Sequence, residues 1–205
     1  SWAAAQYCPA VKMKLKTVRG ISPAKGGIIV AGGGTAGHLL PGIAVVDKLV
    51  ERGWPRDAVL FVGSSRGVEL EMVPSAGYEL TVLSGRGLNG RRISLQNLLN
   101  LVGIMSAIFR GIWIVKRRRP SVVLSLGGYA ALPAGIGALL FKVPLVLAEQ
   151  NAAASAANRL MTKFAKAAAV PRAGTGLKNE VVTGNPVRQA VLQADGEGRL
   201  LRTEL

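Results

Sequence analysis

Cysteine and histidine are almost absent from this chain. It contains one cysteine, Cys8, and one histidine, His38, among 205 residues. A single cysteine excludes an internal disulfide framework and fits a reducing compartment. The two residues are also too few for a zinc site of the usual His/Cys type, so we predict no metal. Aromatic residues make up 5% of the chain and form no evident stacking platform, which makes a nucleic-acid binder the least favoured class.

Acidic residues are also scarce. The chain has 11 Asp and Glu residues and 26 Lys and Arg residues, which gives a formal net charge of +15. Such an excess predicts an anionic partner: nucleic acid, an anionic lipid surface or a phosphorylated substrate. Hydrophobic residues still form 49% of the sequence, enough for a large core. We predict a disordered basic leader over 1–27, one domain over 28–188, and a linker or the start of a further domain over 189–205.

Short apolar runs alternate with helical patterns from residue 28 onward. The predicted strands are Ile28–Gly32, Ala58–Val62, Glu79–Leu83, Ser121–Leu126, Pro144–Ala148, Ala167–Val170 and Glu180–Thr183. The predicted helices are Gly37–Arg52, Gly67–Val73, Ile93–Lys116, Ala130–Phe141 and Ala154–Phe164. Because the strands are continuously apolar, we predict an α/β fold: a Rossmann-like, doubly wound parallel sheet covered by helices on both faces. Ligands of such a fold bind at the carboxyl ends of its strands.

The segment from Gly32 to His38 follows the first predicted strand and opens the first helix. Glycines let a ligand approach the backbone closely, and the first amides of a helix point at negative charge, so we predict a phosphate or diphosphate site. The same residues also match G-x-G-x-x-G, which keeps an NADP-binding oxidoreductase as an alternative. The end of the second strand, 63–66, offers no acid for the ribose of NAD but does offer Arg66 for NADP.

Two more polar loops follow predicted strands, Gly127–Tyr129 and Glu149–Asn151. The carboxyl ends of parallel strands meet at one edge of a sheet, so we expect these loops to lie beside the glycine segment. His38 falls in the first turn of its helix, where the positive end of the helix dipole favours a neutral imidazole. A neutral ring at that position is suited to act as a general base or to orient a hydroxyl.

The helix predicted over Ile93–Lys116 is strongly apolar from Leu98 to Val115 and has basic residues at both ends. Its uncharged part is too short to cross a bilayer. Two interpretations remain open. The helix either belongs to the core and has a solvated basic end, or lies at the surface and inserts apolar side chains into an anionic membrane.

Together these motifs resemble the MurG family of peptidoglycan N-acetylglucosaminyltransferases. The resemblance runs from about Ile28 to Arg188 and rests on motifs in the order of that family: residues 33–38, Gly127–Tyr129, Glu149–Asn151, Asn158 and residues 184–188. Two positions depart from the family pattern. Ala36 stands where glycine is common, and Ala148 stands where many members have a histidine, so no role for that ring applies here.

The resemblance implies the N-terminal, acceptor-binding half of a GT-B glycosyltransferase. The family transfers GlcNAc from UDP-GlcNAc to the MurNAc 4-hydroxyl of undecaprenyl-diphosphate-MurNAc-pentapeptide (lipid I), with inversion and without a cofactor, at the cytoplasmic face of the bacterial membrane. A donor-binding domain is then required in cis or in trans, and a non-catalytic lipid-binding half of a split glycosyltransferase is a further alternative.

The resemblance also implies roles for individual residues. His38 and Glu149 are candidates for activating the acceptor hydroxyl, with Tyr129 close by. The lipid diphosphate is expected on the amides of the glycine segment. The implied substrate-binding residues are Gly34, Thr35, Ala36, Gly37, Gly128, Asn151, Asn158 and Arg188. The implied membrane-docking residues are Leu98, Leu101, Met105, Phe109, Trp113, Arg117 and Arg118.

Overall fold

The computed structural model describes residues 26–65, 67–83 and 95–186; for 95–101 it describes the backbone alone. The strands are β1 (Ile28–Gly32), β2 (Val59–Ser64), β3 (Glu79–Leu83), β4 (Val122–Gly127), β5 (Leu145–Ala148), β6 (Ala167–Val170) and β7 (Glu180–Val182). The helices are α1 (Ala36–Glu51), α2 (Glu69–Ser75), α3 (Leu95–Arg118), α4 (Ala131–Leu140) and α5 (Ala156–Met161). A 3₁₀ turn at Arg56–Ala58 precedes β2. The predicted leader and the predicted tail over 189–205 lie almost wholly outside the described residues, and the domain limits at 28 and 188 remain predictions.

All seven strands pair in parallel, in the order β3-β2-β1-β4-β5-β6-β7. The helices divide between the two faces. One core cluster joins the sheet to α1 and α2, and the other joins it to α3, α4 and α5. The predicted doubly wound α/β fold is therefore confirmed. The strand order reverses between β1 and β4, and a ligand crevice opens at the carboxyl ends of two such strands.

Local sequence signals explain most element boundaries. β1 and β4 are buried along their whole length because helices cover both faces, as their unbroken apolar runs predict. α1 ends where Gly53 takes a left-handed φ of +93° and donates its N–H to the Val50 carbonyl at 2.9 Å. A glycine accepts this conformation at little steric cost, so the predicted stop after Arg52 is confirmed.

α5 is shorter than predicted at both ends. Ser155 is its N-cap and accepts a hydrogen bond from the Asn158 N–H, so the helix begins at Ala156 and not at Ala154. At the other end, Thr162 accepts a hydrogen bond from the Lys178 N–H at 2.6 Å through its hydroxyl. The following amides of Phe164 and Ala165 bond three residues back, which closes the helix as tight turns.

α3 has apolar side chains on opposite faces. Ala107, Ile114 and Val115 are buried against α4 and the sheet. The side chains at the other face of the helix are apolar but exposed: Val102 by 61%, Met105 by 45%, Phe109 by 66% and Trp113 by 54%. The core and surface interpretations of this helix therefore each describe one of its faces. Among the described residues, no helix has the length and apolarity needed to cross a membrane.

Candidate active site

The glycine segment and the loop after β4 meet at the switch point of the sheet. Gly32 pairs with Gly127, and the register between the two strands shifts just before that pair. A Cβ at Gly32 would lie only 2.1 Å from the Gly127 carbonyl oxygen, so only glycine allows the two backbones to come this close. The sequence prediction that these two loops share one edge is confirmed by this contact.

A carboxylate holds the glycine segment from inside the protein. Glu69, at the start of α2, is 1% exposed. Its Oε2 accepts the Gly34 N–H at 3.0 Å, and its Oε1 accepts the N–H and hydroxyl of Ser64 at 2.7 and 2.9 Å. The Gly34 amide is therefore already bonded within the protein, and the expected diphosphate contact with the amides of this segment stays a prediction. The sequence analysis did not single out Glu69.

His38 joins two loops that are far apart in sequence. Its Nδ1 lies 2.8 Å from the Thr35 hydroxyl, and its Nε2 lies 3.1 Å from Nδ2 of Asn151. The imidazole is half-buried, while Thr35 and Asn151 are exposed. The structure thus brings together three of the residues that the resemblance placed in one site.

Glu149 is buried, at 2% exposure, directly after β5. Its Oε1 accepts the N–H groups of Gln150 and Asn151 and the Asn151 side-chain amide; its Oε2 accepts the Ser155 N–H and the Asn158 side-chain amide. Burial alone raises the pKa of Glu149, but these donors outweigh burial and hold the pKa below its usual value. An ionised carboxylate with five donors is a weak proton acceptor, so the geometry favours His38 over Glu149 as the base.

Asn158 is completely buried and does not reach the crevice. Its Nδ2 donates to Glu149 Oε2 at 3.0 Å and to the Ala148 carbonyl at 3.3 Å, and its Oδ1 accepts the Ser125 hydroxyl at 2.8 Å. All of these contacts are internal, and the predicted substrate contact of Asn158 stays a prediction. The side chain connects β4, α5 and the end of β5, because a buried amide must have its hydrogen-bonding groups satisfied internally.

Tyr129 lies against the core cluster on the α4 side of the sheet. Its hydroxyl is buried and has no hydrogen-bond partner among the described residues, and burial raises its pKa. A phenol of this kind is a poor proton acceptor at neutral pH. Its predicted closeness to the acceptor hydroxyl remains a prediction.

The remaining predicted site residues fall into two groups. Gly34, Thr35, Gly37 and Gly128 are exposed at the carboxyl edge, and Ala36 is half-exposed. No described residue accepts a hydrogen bond from the N–H groups of Ala36 and Gly37, which stand in the first turn of α1. Arg188 and Arg66 lie outside the described residues, as do the side chains of Leu98 and Leu101.

A parallel sheet with its polar loops at the switch point is the architecture of nucleotide-sugar enzymes as well as dehydrogenases. Comparison separates these classes. Residues 28–170 match the glycosyltransferase family 28 N-terminal domain. The chain belongs to this family, so the NADP-binding oxidoreductase alternative is not retained.

Within the family, two curated relatives carry the same name, UDP-N-acetylglucosamine–N-acetylmuramyl-(pentapeptide) pyrophosphoryl-undecaprenol N-acetylglucosamine transferase. The relative from Thermodesulfovibrio yellowstonii is 34% identical over 174 residues, covering 83% of this chain and 47% of the relative. The one from Anaeromyxobacter sp. strain K is 40% identical over 185 residues, covering 85% and 48%. The chain thus spans about half the length of the curated relatives it matches.

Solved structures agree with this assignment. MurG from Acinetobacter baumannii superposes with a TM-score of 0.64 at 26% identity, over 81% of this chain and 47% of that one. A UDP-GlcNAc 2-epimerase from Neisseria meningitidis superposes with a TM-score of 0.56 at 15% identity, over 86% of this chain and 52% of that one. The epimerase shows a shared fold only. The expected N-terminal half of a GT-B fold is confirmed.

We predict that Glu69→Gln lowers the free energy of unfolding by about 1–3 kcal/mol, because a neutral amide cannot accept from both Gly34 and Ser64 and leaves a buried N–H unpaired. Urea unfolding followed by circular dichroism measures the change. Glu71→Gln, an exposed residue of the same helix, is the control and should change stability little. Equal stabilities of the two variants would contradict the anchoring role of Glu69.

A second prediction follows from the lowered pKa of Glu149. A carboxyl group with a depressed pKa in the folded state stabilises the protein above its unfolded pKa, near 4.5, and loses this contribution as the pH falls through the lower folded pKa. We expect Glu149→Gln to cost about 1–3 kcal/mol at pH 7. Urea unfolding at a series of pH values should show the gap to wild type narrowing below pH 4.5. A gap independent of pH would argue against an ionised Glu149.

Proposed function

We propose that this chain is the acceptor-binding half of an inverting N-acetylglucosaminyltransferase. The complete enzyme moves GlcNAc from UDP-GlcNAc to the MurNAc 4-hydroxyl of undecaprenyl-diphosphate-MurNAc-pentapeptide, converting lipid I to lipid II in peptidoglycan synthesis. Family membership and the shared name of the relatives support this reaction. The single observation that carries the proposal is the meeting of His38 and Asn151, from two distant loops, at the crevice of the sheet.

In the proposed mechanism, His38 is the general base. Its imidazole accepts the proton of the acceptor hydroxyl while the hydroxyl oxygen attacks the anomeric carbon of GlcNAc. The bond from that carbon to the diphosphate of UDP breaks on the opposite face, and the electron pair leaves with UDP. The half-buried imidazole of His38 reaches the rim, and an imidazole nitrogen is the side-chain group that most often acts as a general base.

The lipid diphosphate is assigned to the first turn of α1. The N–H groups of Ala36 and Gly37 point out of the helix start and favour an anion there. The Glu69 carboxylate lies behind Gly34, so its charge keeps the phosphates toward the Ala36 end of the segment. We assign most of the UDP-GlcNAc nucleotide to a second, donor-binding domain supplied in cis or in trans.

We predict that His38→Ala in the complete enzyme lowers the transfer of labelled GlcNAc to lipid I by about 100-fold or more, as expected on removal of a general base. Association with membranes should stay intact, because α1, which carries His38, and α3 pack on opposite faces of the sheet. Lys48→Ala, an exposed residue of the same helix, serves as the control with normal turnover. Unchanged turnover of the His38 variant would remove this residue from the mechanism.

We also propose that α3 docks the protein as a peripheral component on the cytoplasmic face of the bacterial membrane. Phe109 and Trp113 expose more than half of their surface on one side of the helix. The Arg117 guanidinium lies 5.1 Å from the centre of the Trp113 ring, next to these apolar side chains. Arg118 forms an ion pair with Glu79. Apolar side chains beside arginines suit an interface where hydrocarbon meets lipid phosphates.

The end of α3 adds a cavity of about 370 Å³ to this surface. Lys116 and Arg119 line it on one side and Phe141, after α4, on the other. Two cations beside an apolar wall match the chemistry of an anionic lipid headgroup. The proposed docking surface therefore extends from the apolar stripe of α3 to its basic end.

We predict that Phe109→Ser or the pair Arg117→Glu with Arg118→Glu weakens binding of the chain to phosphatidylglycerol vesicles. Reversal of one interfacial charge costs about 2 kcal/mol, so the double change should reduce binding by more than tenfold. Leu70→Ser on α2, 46% exposed on the opposite face of the sheet, is the matched control. Vesicle sedimentation measures binding, and phosphatidylcholine vesicles test the need for anionic lipid. Undiminished binding of both variants would rule out α3 as the docking surface.

A further inference from the structure

The proton position on the His38 ring follows from the groups around it, beginning at Glu149. This buried carboxylate has a lowered pKa because of its five N–H donors. At neutral pH it is ionised, and an ionised carboxylate can only accept hydrogen bonds. Any group that faces its oxygens must therefore present a hydrogen.

Asn151 faces this carboxylate with its side-chain amide. The Nδ2 atom lies 2.8 Å from Glu149 Oε1, and the backbone N–H of the same residue lies 3.1 Å from that oxygen. The amide oxygen in the place of Nδ2 would oppose the negative charge, so this contact decides which end of the amide is nitrogen. The orientation of Asn151 is thus set by charge and by geometry.

The second hydrogen of Asn151 Nδ2 is directed at His38, because Nδ2 also lies 3.1 Å from the His38 Nε2. A nitrogen that receives a hydrogen bond is unprotonated, so the proton of the neutral ring is on Nδ1. Nδ1 lies 2.8 Å from the Thr35 hydroxyl oxygen, which can accept it. We infer that Glu149, acting through Asn151, is a positioning residue that fixes His38 with its proton on Nδ1 and its lone pair on Nε2.

The consequence of this tautomer for catalysis rests on the proposed function, in which His38 is the general base. The nitrogen that must accept a proton is already unprotonated, and the Asn151 amide occupies its lone pair before substrate binds. The acceptor hydroxyl takes the place of that amide, donates its proton to Nε2 and forms the new bond to the anomeric carbon as UDP departs. The displaced Asn151 N–H becomes free to bond a substrate oxygen.

Nuclear magnetic resonance tests the tautomer directly, because His38 is the only histidine of the chain. Long-range ¹H–¹⁵N spectra of the ¹⁵N-histidine-labelled chain at about pH 8 give one pair of ring-nitrogen resonances, from Nδ1 and Nε2 of His38. We expect Nδ1 in the protonated range and Nε2 in the unprotonated range. The reverse pattern would overturn the inference.

Two variants test the relay. Asn151→Ala removes the N–H donor that faces the His38 Nε2, so we expect the Nε2 resonance to shift toward the protonated range. Glu149→Gln should shift the Nε2 resonance in the same direction, because a neutral amide at residue 149 no longer requires Asn151 to direct its Nδ2 toward it. Asn185→Ala is the matched control: it removes another exposed amide of the same rim, bonded to the Gln150 carbonyl, and should leave the spectrum unchanged.

Circular dichroism establishes that each variant is folded before its spectrum is interpreted. If Glu149→Gln does not fold, Asn151→Ala still decides, since Asn151 is exposed and outside the core. An unchanged spectrum for Asn151→Ala would overturn the relay. The spectra need no substrate and are therefore independent of the transfer assay. If the spectra contradict the relay but His38→Ala still loses GlcNAc transfer, the relay is wrong and the proposed reaction is unaffected.

Discussion

The candidate site depends on the need of buried carboxylates for hydrogen-bond donors. A charge removed from water is tolerated only where donors replace the lost solvent. Glu149 meets this need with backbone amides on both sides of one loop and with two side-chain amides. The loop after β5 and the start of α5 are thereby folded around a single group. Neutralising this group would leave part of these donors without an acceptor and so destabilise the loop.

Glu69 applies the same constraint on the other side of the crevice. It connects the loop after β1 to the end of β2, as Glu149 connects the end of β5 to α5. Each loop is thus held by a carboxylate that faces inward, which leaves the first amides of α1 and the His38 imidazole at the rim. In the proposed function, the anionic substrate binds this rim and does not contact the two carboxylates, which accept three and five hydrogen bonds within the protein.

The sequence was sufficient to predict the sheet, because buried parallel strands leave unbroken apolar runs and turns leave glycines. It also placed His38, Glu149 and Asn151 at one edge, since each follows a strand in a parallel sheet. Glu69 could not be found this way. It stands two residues from the exposed Glu71 in a short helix, and no local pattern distinguishes the two. Only the packing of α2 under the glycine segment turns Glu69 inward.

Asn158, unlike Glu69, was singled out from the sequence, but the sequence could not show what its side chain contacts. Resemblance to a family identifies a residue that matters without saying what it contacts, and here the contacts are internal. The distinction has a chemical consequence. A residue that binds substrate acts when substrate is present, whereas Asn158, Glu149 and Asn151 already set the geometry of His38 in the empty crevice. In the proposed mechanism, this preorganisation holds the His38 Nε2 unprotonated before substrate binds. In the proposed reaction, the buried groups Glu149 and Asn158 do not contact the sugar, and the His38 imidazole is the point where their hydrogen-bond network reaches the substrate.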